Sequence, residues 1–249
     1  MAFPTTIAGK YGWEKVETSD QRHVLGTEMV FMDGRRFRYA KNGGSAAIGE
    51  GLLVATEAVA GNHDEDLVVA SSGSVGDTSL SVTVGGTAAA KDLYKDGYLF
   101  INVPTSSTSP HELYKIKGHA AIDSSGTGSI NIDEEDGLHT AITAGTDTVG
   151  LIKSPYKDVI VCPTTLTGTA VGVTVNNFTA AYYGWIQVAG PSVAKIDGTA
   201  GVGLVVGPSS NHAGQLLVVG ADTTHQVGRM WGKAGVDNAF HTVFLQNLA

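Results

Sequence analysis

Several short stretches contain residue types that could act in catalysis or metal binding, but each lacks part of the pattern its chemistry needs. A serine nucleophile requires Gly-x-Ser-x-Gly between a strand and a helix, whereas 73–76 (Gly-Ser-Val-Gly) has the wrong spacing and no helical pattern follows it. The stretches His63–Asp66 and Asp133–Asp136 are rich in metal-ligating side chains. Adjacent strand residues point to opposite faces, and the second stretch lacks the ligand rhythm of an EF-hand loop. We therefore interpret both as solvated acidic loops, with calcium at Asp133–Asp136 as the alternative.

No cofactor-binding motif is complete either. Gly201, Gly203 and Gly207 have a spacing similar to a dinucleotide loop, but such a loop must be followed by a helix N-terminus, and here Pro208 ends a strand pattern. The single cysteine, Cys162, excludes an intramolecular disulfide and a Cys₄ zinc site. Its apolar neighbours predict a buried thiol. We expect no catalytic residue, no cofactor and no metal, although carboxylates brought together only by the fold would escape this test.

One cluster mixes basic and aromatic residues, namely Arg35, Arg36, Phe37, Arg38 and Tyr39. Such a mixture is found in single-strand nucleic-acid binders, in protein contacts and in strands with an exposed arginine-lined face. The net charge of −8 and the pI of 5.4 argue against nucleic acid as the partner. Residues 1–41 nevertheless hold seven Lys/Arg and five Asp/Glu, so a mildly basic segment precedes an acidic body. This segment is either a contact for an acidic surface or a solvated loop.

Aromatic residues are sparse, at 7% of the chain, and several of them are grouped in its last third. Tyr182, Tyr183 and Trp185 open one strand pattern, whereas Trp231 and Phe244 lie near the end. We predict that Tyr183, Trp185, Trp231 and Phe244 fill the ends of a C-terminal barrel or form its interface. The alternative is a carbohydrate-binding platform built from Tyr182, Tyr183 and Trp185.

The elements that must position these residues are predicted to be strands. The 249-residue chain has only 16% charged residues and 33 glycines, and its mean hydropathy of +0.06 excludes global disorder. Alternating apolar and polar residues, separated by Gly, Pro, Asp or Ser, recur at intervals typical of barrels and sandwiches. The strands are predicted at 80–84, 98–103, 113–117, 129–133, 148–153, 159–162, 170–175, 184–188, 192–196, 203–206, 215–219, 226–230 and 241–245.

The sequence contains few segments with a helical pattern and no candidate for a membrane-spanning helix. Only Ala88–Tyr94 and Leu138–Thr143 are helical candidates, and both are short. No apolar run reaches 18 residues, so we expect no transmembrane helix, and the first residues do not resemble a secretory signal. Pro191 and Pro208 are predicted to mark turns.

The predicted organisation is an all-β chain in three parts. Residues 1–50 have weak periodicity and many glycines, and we interpret them as an extended N-terminal arm that is either ordered by a neighbour or free in solution. Residues 51–162 form a first β domain. Residues 163–249 form a C-terminal β-barrel domain, with the boundary near Pro163.

Part of the sequence resembles a known family. The segments that carry the resemblance are 183–200, 202–206, 214–215 and 226–229, and the stretches 33–40, 49–54, 94–101 and 114–118 are similar in style to phage virion structural proteins in general. A strand of the type Tyr-Gly-Trp-Ile-Gln, a Gly-Pro step, an apolar strand to Asp-Gly-Thr and a late Val-Gly-Arg strand are similar to the terminal barrel of head decoration proteins of tailed bacteriophages. The resemblance is specific over about 183–229, and the short relatives lack an equivalent of 51–162.

The resemblance implies a non-enzymatic cement protein on an icosahedral shell. It would bind between major capsid protein subunits as a homotrimer, without nucleic acid or membrane. It would be made in the host cytoplasm and would lie on the outer capsid surface of the virion. The arm would dock on the shell through Arg35, Arg36, Arg38 and Tyr39. Two alternatives fit the sequence: a tail or tail-tube component, and a carbohydrate-binding module on the virion surface.

Overall fold

The computed structural model describes residues 6–103, 112–132, 137–219, 225–246 and 248. Within these residues the chain forms seventeen strands and one short 3-10 helix, Trp13–Lys15. The prediction of an all-β fold with small barrels and very little helix is therefore confirmed. The calcium candidate Asp133–Asp136 lies outside the described residues.

The strands are numbered along the chain. They are β1 (Thr6–Ala8), β2 (Glu28–Val30), β3 (Arg36–Lys41), β4 (Leu53–Ala55), β5 (Leu67–Ser71), β6 (Ser79–Thr83), β7 (Tyr98–Val103), β8 (Leu113–His119), β9 (Thr127–Ile132), β10 (Thr148–Ile152), β11 (Ile160–Val161), β12 (Ala170–Thr174), β13 (Tyr183–Ile196), β14 (Val205–Pro208), β15 (Leu216–Val218), β16 (Gly228–Met230) and β17 (Ala239–Leu245).

The chain folds into two compact units with boundaries that differ from the predicted ones. Unit 1 combines the chain up to Ala58 with the chain from Pro155 onward, and unit 2 is Val59–Ser154. We predicted cuts at 50 and 162 and a separate arm over 1–50. Instead, β1 pairs with β2, β2 with β3, and β3 with β13, so the described part of that segment belongs to the sheet of unit 1. Periodicity could not reveal this because the pairing joins strands more than 140 residues apart.

Strand β13 organises unit 1 because it belongs to two sheets in succession. It pairs with β3 as far as Ala189 opposite Arg36, and with β17 from Gly190 opposite Leu245 onward. The change of partner falls at Gly190, whose φ of 86° suits glycine far better than any residue with a β carbon. We predicted a turn at Pro191, but the strand continues through it.

The C-terminal strands of unit 1 form a closed ring. Pairings lead from β13 to β15, β14, β16 and β17 and return to β13. Small and branched side chains fill one core that includes Leu53, Val173, Ile196, Leu216 and Val243. A second core lies between β2, β3 and the first half of β13, and it includes Met29, Phe37, Tyr39, Phe178 and Ile186. Burial of large apolar side chains is the main stabilising term for both cores.

Unit 2 is a closed barrel of six strands in the order β10, β5, β6, β9, β8, β7. On β6 the buried Leu80 and Val82 alternate with more exposed serine and threonine residues, which is the period of a strand with one face in the core. The helical candidates are wrong: Ala88–Tyr94 and Leu138–Thr143 contain bridges, bends and turns. In both segments a bridge residue, Ala89 or Ile142, pairs with a non-local partner, and tertiary contacts therefore override helix propensity.

Candidate functional site

Two arginines predicted for shell contact share one carboxylate. Arg36 and Arg38 lie on the same side of β3, and their guanidinium nitrogens are 3.7 and 4.0 Å from Glu28 Oε1. Arg38 Nη1 also donates to the carbonyl oxygen of Gly26 at 2.9 Å, which holds this side chain along the sheet. The Arg36 side chain is half exposed. It is therefore the more available cation of the two.

Arg35 lies at the tip of the β2–β3 hairpin and is engaged by its own segment. Its Nε is 2.7 Å from Asp33 Oδ2, and its guanidinium lies 4.7 Å from the centre of the Phe31 ring. Burial alone would raise the pKa of Asp33, but hydrogen bonds and charge from Arg35 lower it below its ordinary value. Met32 is fully exposed at the same tip. The tip thus presents a flexible apolar side chain beside an ion pair.

Tyr39 is an interior residue, so it cannot contact a shell as we predicted. Its side chain is buried, and its hydroxyl accepts a hydrogen bond from the backbone N–H of Arg22 at 3.0 Å. Its ring packs against Tyr183 and Trp185 at centroid distances of 6.1 and 5.1 Å. The reason is register: Tyr39 is opposite Trp185 on β13, on the face that covers the core.

The same packing argues against the alternative of a carbohydrate-binding platform at Tyr182, Tyr183 and Trp185. Trp185 is buried and Tyr183 is partly buried against Tyr39, so these two rings do not present free faces together with Tyr182. Aromatic rings bind sugars by stacking, which requires an open face. No platform is therefore available at the positions we predicted.

Trp231 and Phe244 lie on the surface and do not fill a barrel core. Their side chains are 51% and 50% exposed. On β17 the buried Val243 and Leu245 point into the core, so the alternation of the strand turns Phe244 outward. The sequence indicated aromatic residues near a barrel, but it did not indicate which alternate residues of β17 face the core.

These residues belong to a larger outward-facing apolar surface, which we call the aromatic face. Phe240 and Phe244 lie on it from β17, and Val193 joins it from β13, opposite Thr242. Trp231 follows β16 and donates its backbone N–H to the Thr242 carbonyl at 3.0 Å. The four side chains Val193, Trp231, Phe240 and Phe244 are each about half exposed.

A groove of about 420 Å³ borders the aromatic face where β13 changes partner. Tyr11, Trp231 and Phe240 supply its aromatic walls. Charged side chains of both signs line it as well, namely Glu14, Lys15, Arg35 and Glu50. Strand β13 contributes Gln187 and 191–193 to the lining. A groove of this size, with aromatic walls and a few polar groups, has the composition of a ligand or peptide site.

A buried carboxylate that the sequence analysis missed anchors the end of the C-terminal ring. Asp197 accepts hydrogen bonds from the Ser209 hydroxyl and from Asn211 Nδ2, and His212 Nδ1 lies 3.2 Å from its other oxygen. The hydrogen bond from Ser209, with those from Asn211 and His212, lowers the pKa of Asp197 despite its burial. In turn, Ser209 Oγ accepts the backbone N–H groups of Asn211 and His212 at 2.9 and 3.0 Å. A serine after Pro208 is a turn signal that could have indicated this network.

This group is structural in geometry despite containing Asp, Ser and His. In a catalytic triad the histidine lies between the carboxylate and the hydroxyl, so that it can take the proton of the nucleophile. Here Ser209 donates directly to Asp197, and His212 contacts the opposite oxygen of the same carboxylate. The arrangement positions the loop between β14 and β15.

Unit 2 contains a second buried polar network, which corrects the expectation that His63 lies in a solvated loop, whereas Glu65 and Asp66 are exposed as that interpretation predicts. His63 is buried, with Nδ1 facing the Tyr94 hydroxyl and Nε2 donating to the Thr87 carbonyl at 2.7 Å. The backbone N–H of Tyr94 donates to His119 Nε2 at 3.1 Å, and His119 Nδ1 donates to the Ala120 carbonyl. His119 therefore carries its ring proton on Nδ1, whereas Nε2 of His63 carries a proton. Burial raises the pKa of Tyr94.

Comparison of the chain with protein-family models, curated protein sequences and solved structures found no match. Among the described residues, no cluster of three or more His, Cys, Asp or Glu side chains could hold a metal ion. No helix in the described ranges has the length and apolar character needed to cross a membrane. The aromatic face and the groove of unit 1 are therefore the candidate functional surfaces of the described residues.

Proposed function

We propose that this chain is a non-enzymatic structural protein of the virion, which decorates and stabilises the icosahedral head of a tailed phage by binding between major capsid protein subunits. The observation that carries the proposal is the aromatic face. Phe240, Phe244 and Trp231 are each about half exposed on one side of the C-terminal ring. Large apolar side chains that are exposed close together in this way are characteristic of protein contacts.

The composition of the face suits a protein partner. Tryptophan and phenylalanine are enriched in the central parts of interfaces, where a few large side chains supply most of the binding free energy. Arg229 is directly opposite Phe244 on the neighbouring strand, and Lys195 is directly opposite Phe240. Each cation therefore lies on the same side of the sheet as its phenylalanine. Cations beside an apolar centre form the polar rim expected of such an interface.

The place of the face in the sequence also supports the proposal. The segment that resembles phage head decoration proteins, 183–229, supplies β13 to β15 and the start of β16. Val193 of the aromatic face lies within it, and Trp231 lies two residues beyond its end. The predicted contact residue Arg36 is half exposed on β3 and can add a second, polar contact. Met32 at the hairpin tip can add an apolar one.

Cosedimentation with heads that lack the protein tests this proposal. Phe244→Ala should weaken binding to heads at least about fivefold, since a truncated anchor residue in an interface costs more than about 1 kcal/mol. Tyr182→Ala is the matched control, because Tyr182 is a partly exposed aromatic residue of unit 1 that lies outside the face. Equal binding of both variants and the wild type would remove the aromatic face from the contact. Binding of the wild type to purified tails alone would replace head decoration by the tail alternative.

A further inference from the structure

The groove beside the aromatic face exposes backbone as well as side chains. Lys195 donates its N–H to the Gly51 carbonyl at 2.9 Å, on the side of β13 that faces away from β17. Backbone groups of a strand alternate in direction from one residue to the next. The N–H and C=O of Val193, two residues earlier, therefore point to the same side as those of Lys195.

The partner strand confirms this direction. Val193 is opposite Thr242 on β17, and the Thr242 carbonyl accepts the N–H of Trp231, away from β13. Val193 and Thr242 thus form a non-hydrogen-bonded pair of the ladder. Within the described ranges, no backbone hydrogen bond outside the strand ladders involves Val193. Its N–H and C=O therefore point to the groove side without a hydrogen-bond partner, and the C=O lies beside Gly51, where a β carbon would be 3.5 Å from the oxygen.

The residues on either side of Val193 limit this opening to a short length of strand. Pro191 has no N–H, and its carbonyl accepts Gln187 Nε2 at 2.7 Å. The N–H of Lys195 already donates to the Gly51 carbonyl. Tyr11, Trp231 and Phe240 stand around the opening as groove walls. The groove thus combines one free donor, one free acceptor and an aromatic enclosure.

We infer that the groove binds a polypeptide segment of the shell subunit, one residue of which adds to the edge of β13 by exchanging two backbone hydrogen bonds with Val193 while the chain turns away from Gly51. This identification of the partner rests on the proposed function. A residue in β conformation offers a C=O and an N–H at the spacing that Val193 requires, which is how peptides add to exposed strand edges. The flanking side chain of the segment is apolar and enters between Trp231 and Phe240, while Glu50 and Lys15 meet polar neighbours at the rim.

The test uses overlapping 15-residue peptides that cover the most abundant protein of the head, identified by mass spectrometry. The full-length protein is titrated with each peptide by fluorescence polarisation. We expect one peptide to bind. Val193→Pro should weaken the affinity for this peptide about fivefold or more, because it removes the N–H that the peptide accepts, and no hydrogen bond between β13 and β17 uses that N–H. Val193→Thr retains the N–H and the branched shape, and it should bind like the wild type.

A second pair of variants covers the case in which Val193→Pro does not fold. Phe240→Ala removes a groove wall and should weaken the peptide about fivefold or more, whereas Tyr182 lies outside the groove lining and Tyr182→Ala should leave peptide binding unchanged. Circular dichroism establishes folding of each variant. Equal peptide binding by Phe240→Ala and Tyr182→Ala would overturn the inference.

Head binding measured in parallel separates this inference from the proposed function. If the protein binds heads but no peptide binds, the strand-addition inference is wrong and head decoration stands. If a peptide binds but heads do not, the groove assignment stands and head decoration is wrong. If neither binds, both are wrong. Binding of maltohexaose or chitohexaose, lost in Trp231→Ala and without any peptide binding, would assign the groove to carbohydrate instead.

Discussion

The ring of Phe240 lies against the backbone of Gly51, so closely that a β carbon at this glycine would come within 2.6 Å of Phe240 Cε1. Gly51 also has a φ of 66°, which residues with side chains adopt at a cost. The glycine therefore sets the position of one aromatic wall of the groove. The contact links the segment before β4 to β17, across most of the sequence of unit 1.

Gly51→Ala should destabilise unit 1 by about 1–3 kcal/mol, because it combines a left-handed backbone with a steric conflict against Phe240. Tryptophan fluorescence during thermal unfolding measures this change. Gly44→Ala is the control, since nothing lies within 4 Å of a β carbon at that position. An unchanged melting temperature for Gly51→Ala would contradict the described packing.

Asp197→Asn should destabilise unit 1 by about 1–3 kcal/mol at neutral pH, since the hydrogen bonds from Ser209 and Asn211 lose their charged acceptor. The pKa of Asp197 is lowered in the folded protein from its ordinary value of 3.8. Its contribution is therefore fully present above the unfolded-state pKa and is lost as the pH falls through the folded-state pKa. Melting temperatures of both proteins, measured from pH 7 to pH 2, should draw together only once the pH falls below 3.8. A constant difference across this range would show that the carboxylate charge is not responsible.

Cys162 should react slowly with Ellman's reagent in the native protein. The thiol is buried, and burial raises its pKa to about 11, so at pH 8 only about one molecule in a thousand carries the thiolate. Unfolding in guanidinium chloride should allow complete reaction within minutes, which also provides the control for reagent quality. Rapid labelling under native conditions would place this thiol at the surface.

Tyr94→Phe should destabilise unit 2 by about 1–3 kcal/mol, because it leaves His63 Nδ1 buried without a partner. All three tryptophans, Trp13, Trp185 and Trp231, belong to unit 1. Far-ultraviolet circular dichroism should therefore detect the loss, while the tryptophan transition stays in place.

Tyr98→Phe is the matched control for unit 2, as the Tyr98 ring lies near Lys115 and is not fully buried. It should melt like the wild type by both methods. An equal shift of the tryptophan transition in Tyr94→Phe would mean that the two units unfold as one.

The isolated protein should form a homotrimer if the proposed role is right, as symmetric assembly on a shell favours closed rings of copies. Light scattering after size-exclusion chromatography should then give about 77 kDa, three times the chain mass of 25.7 kDa. A mass near that of one chain at micromolar concentration would contradict the trimer.

Local sequence pattern was sufficient to predict most of the strands. The alternation at 80–84 and 113–117 corresponds to β6 and β8, because one face of each strand packs in a barrel core. The Gly190–Pro191 step misled the prediction, since a glycine with positive φ can redirect a strand between two sheets as well as end it. The insertion of unit 2 could not be predicted, as it depends on pairing between β3 and β13.

The candidate site was less accessible from sequence than the fold. The Arg-rich cluster at 35–39 was recognised, but the burial of Tyr39 depends on its register with Trp185. Phe244 is exposed because the residues on either side of it in β17, Val243 and Leu245, face the core. The groove combines residues from Tyr11 to Thr242 and has no local signature. The network around Asp197 joins two turns that periodicity treats as unrelated.

The most direct test of the central claim is immunogold electron microscopy of intact virions from the lysate that contains this protein, with antibodies raised against the purified chain. The proposed function predicts gold distributed over the heads. Gold confined to tails would contradict head decoration and favour a tail component. Gold absent from particles, with the protein free in the lysate, would contradict a structural role in the virion altogether.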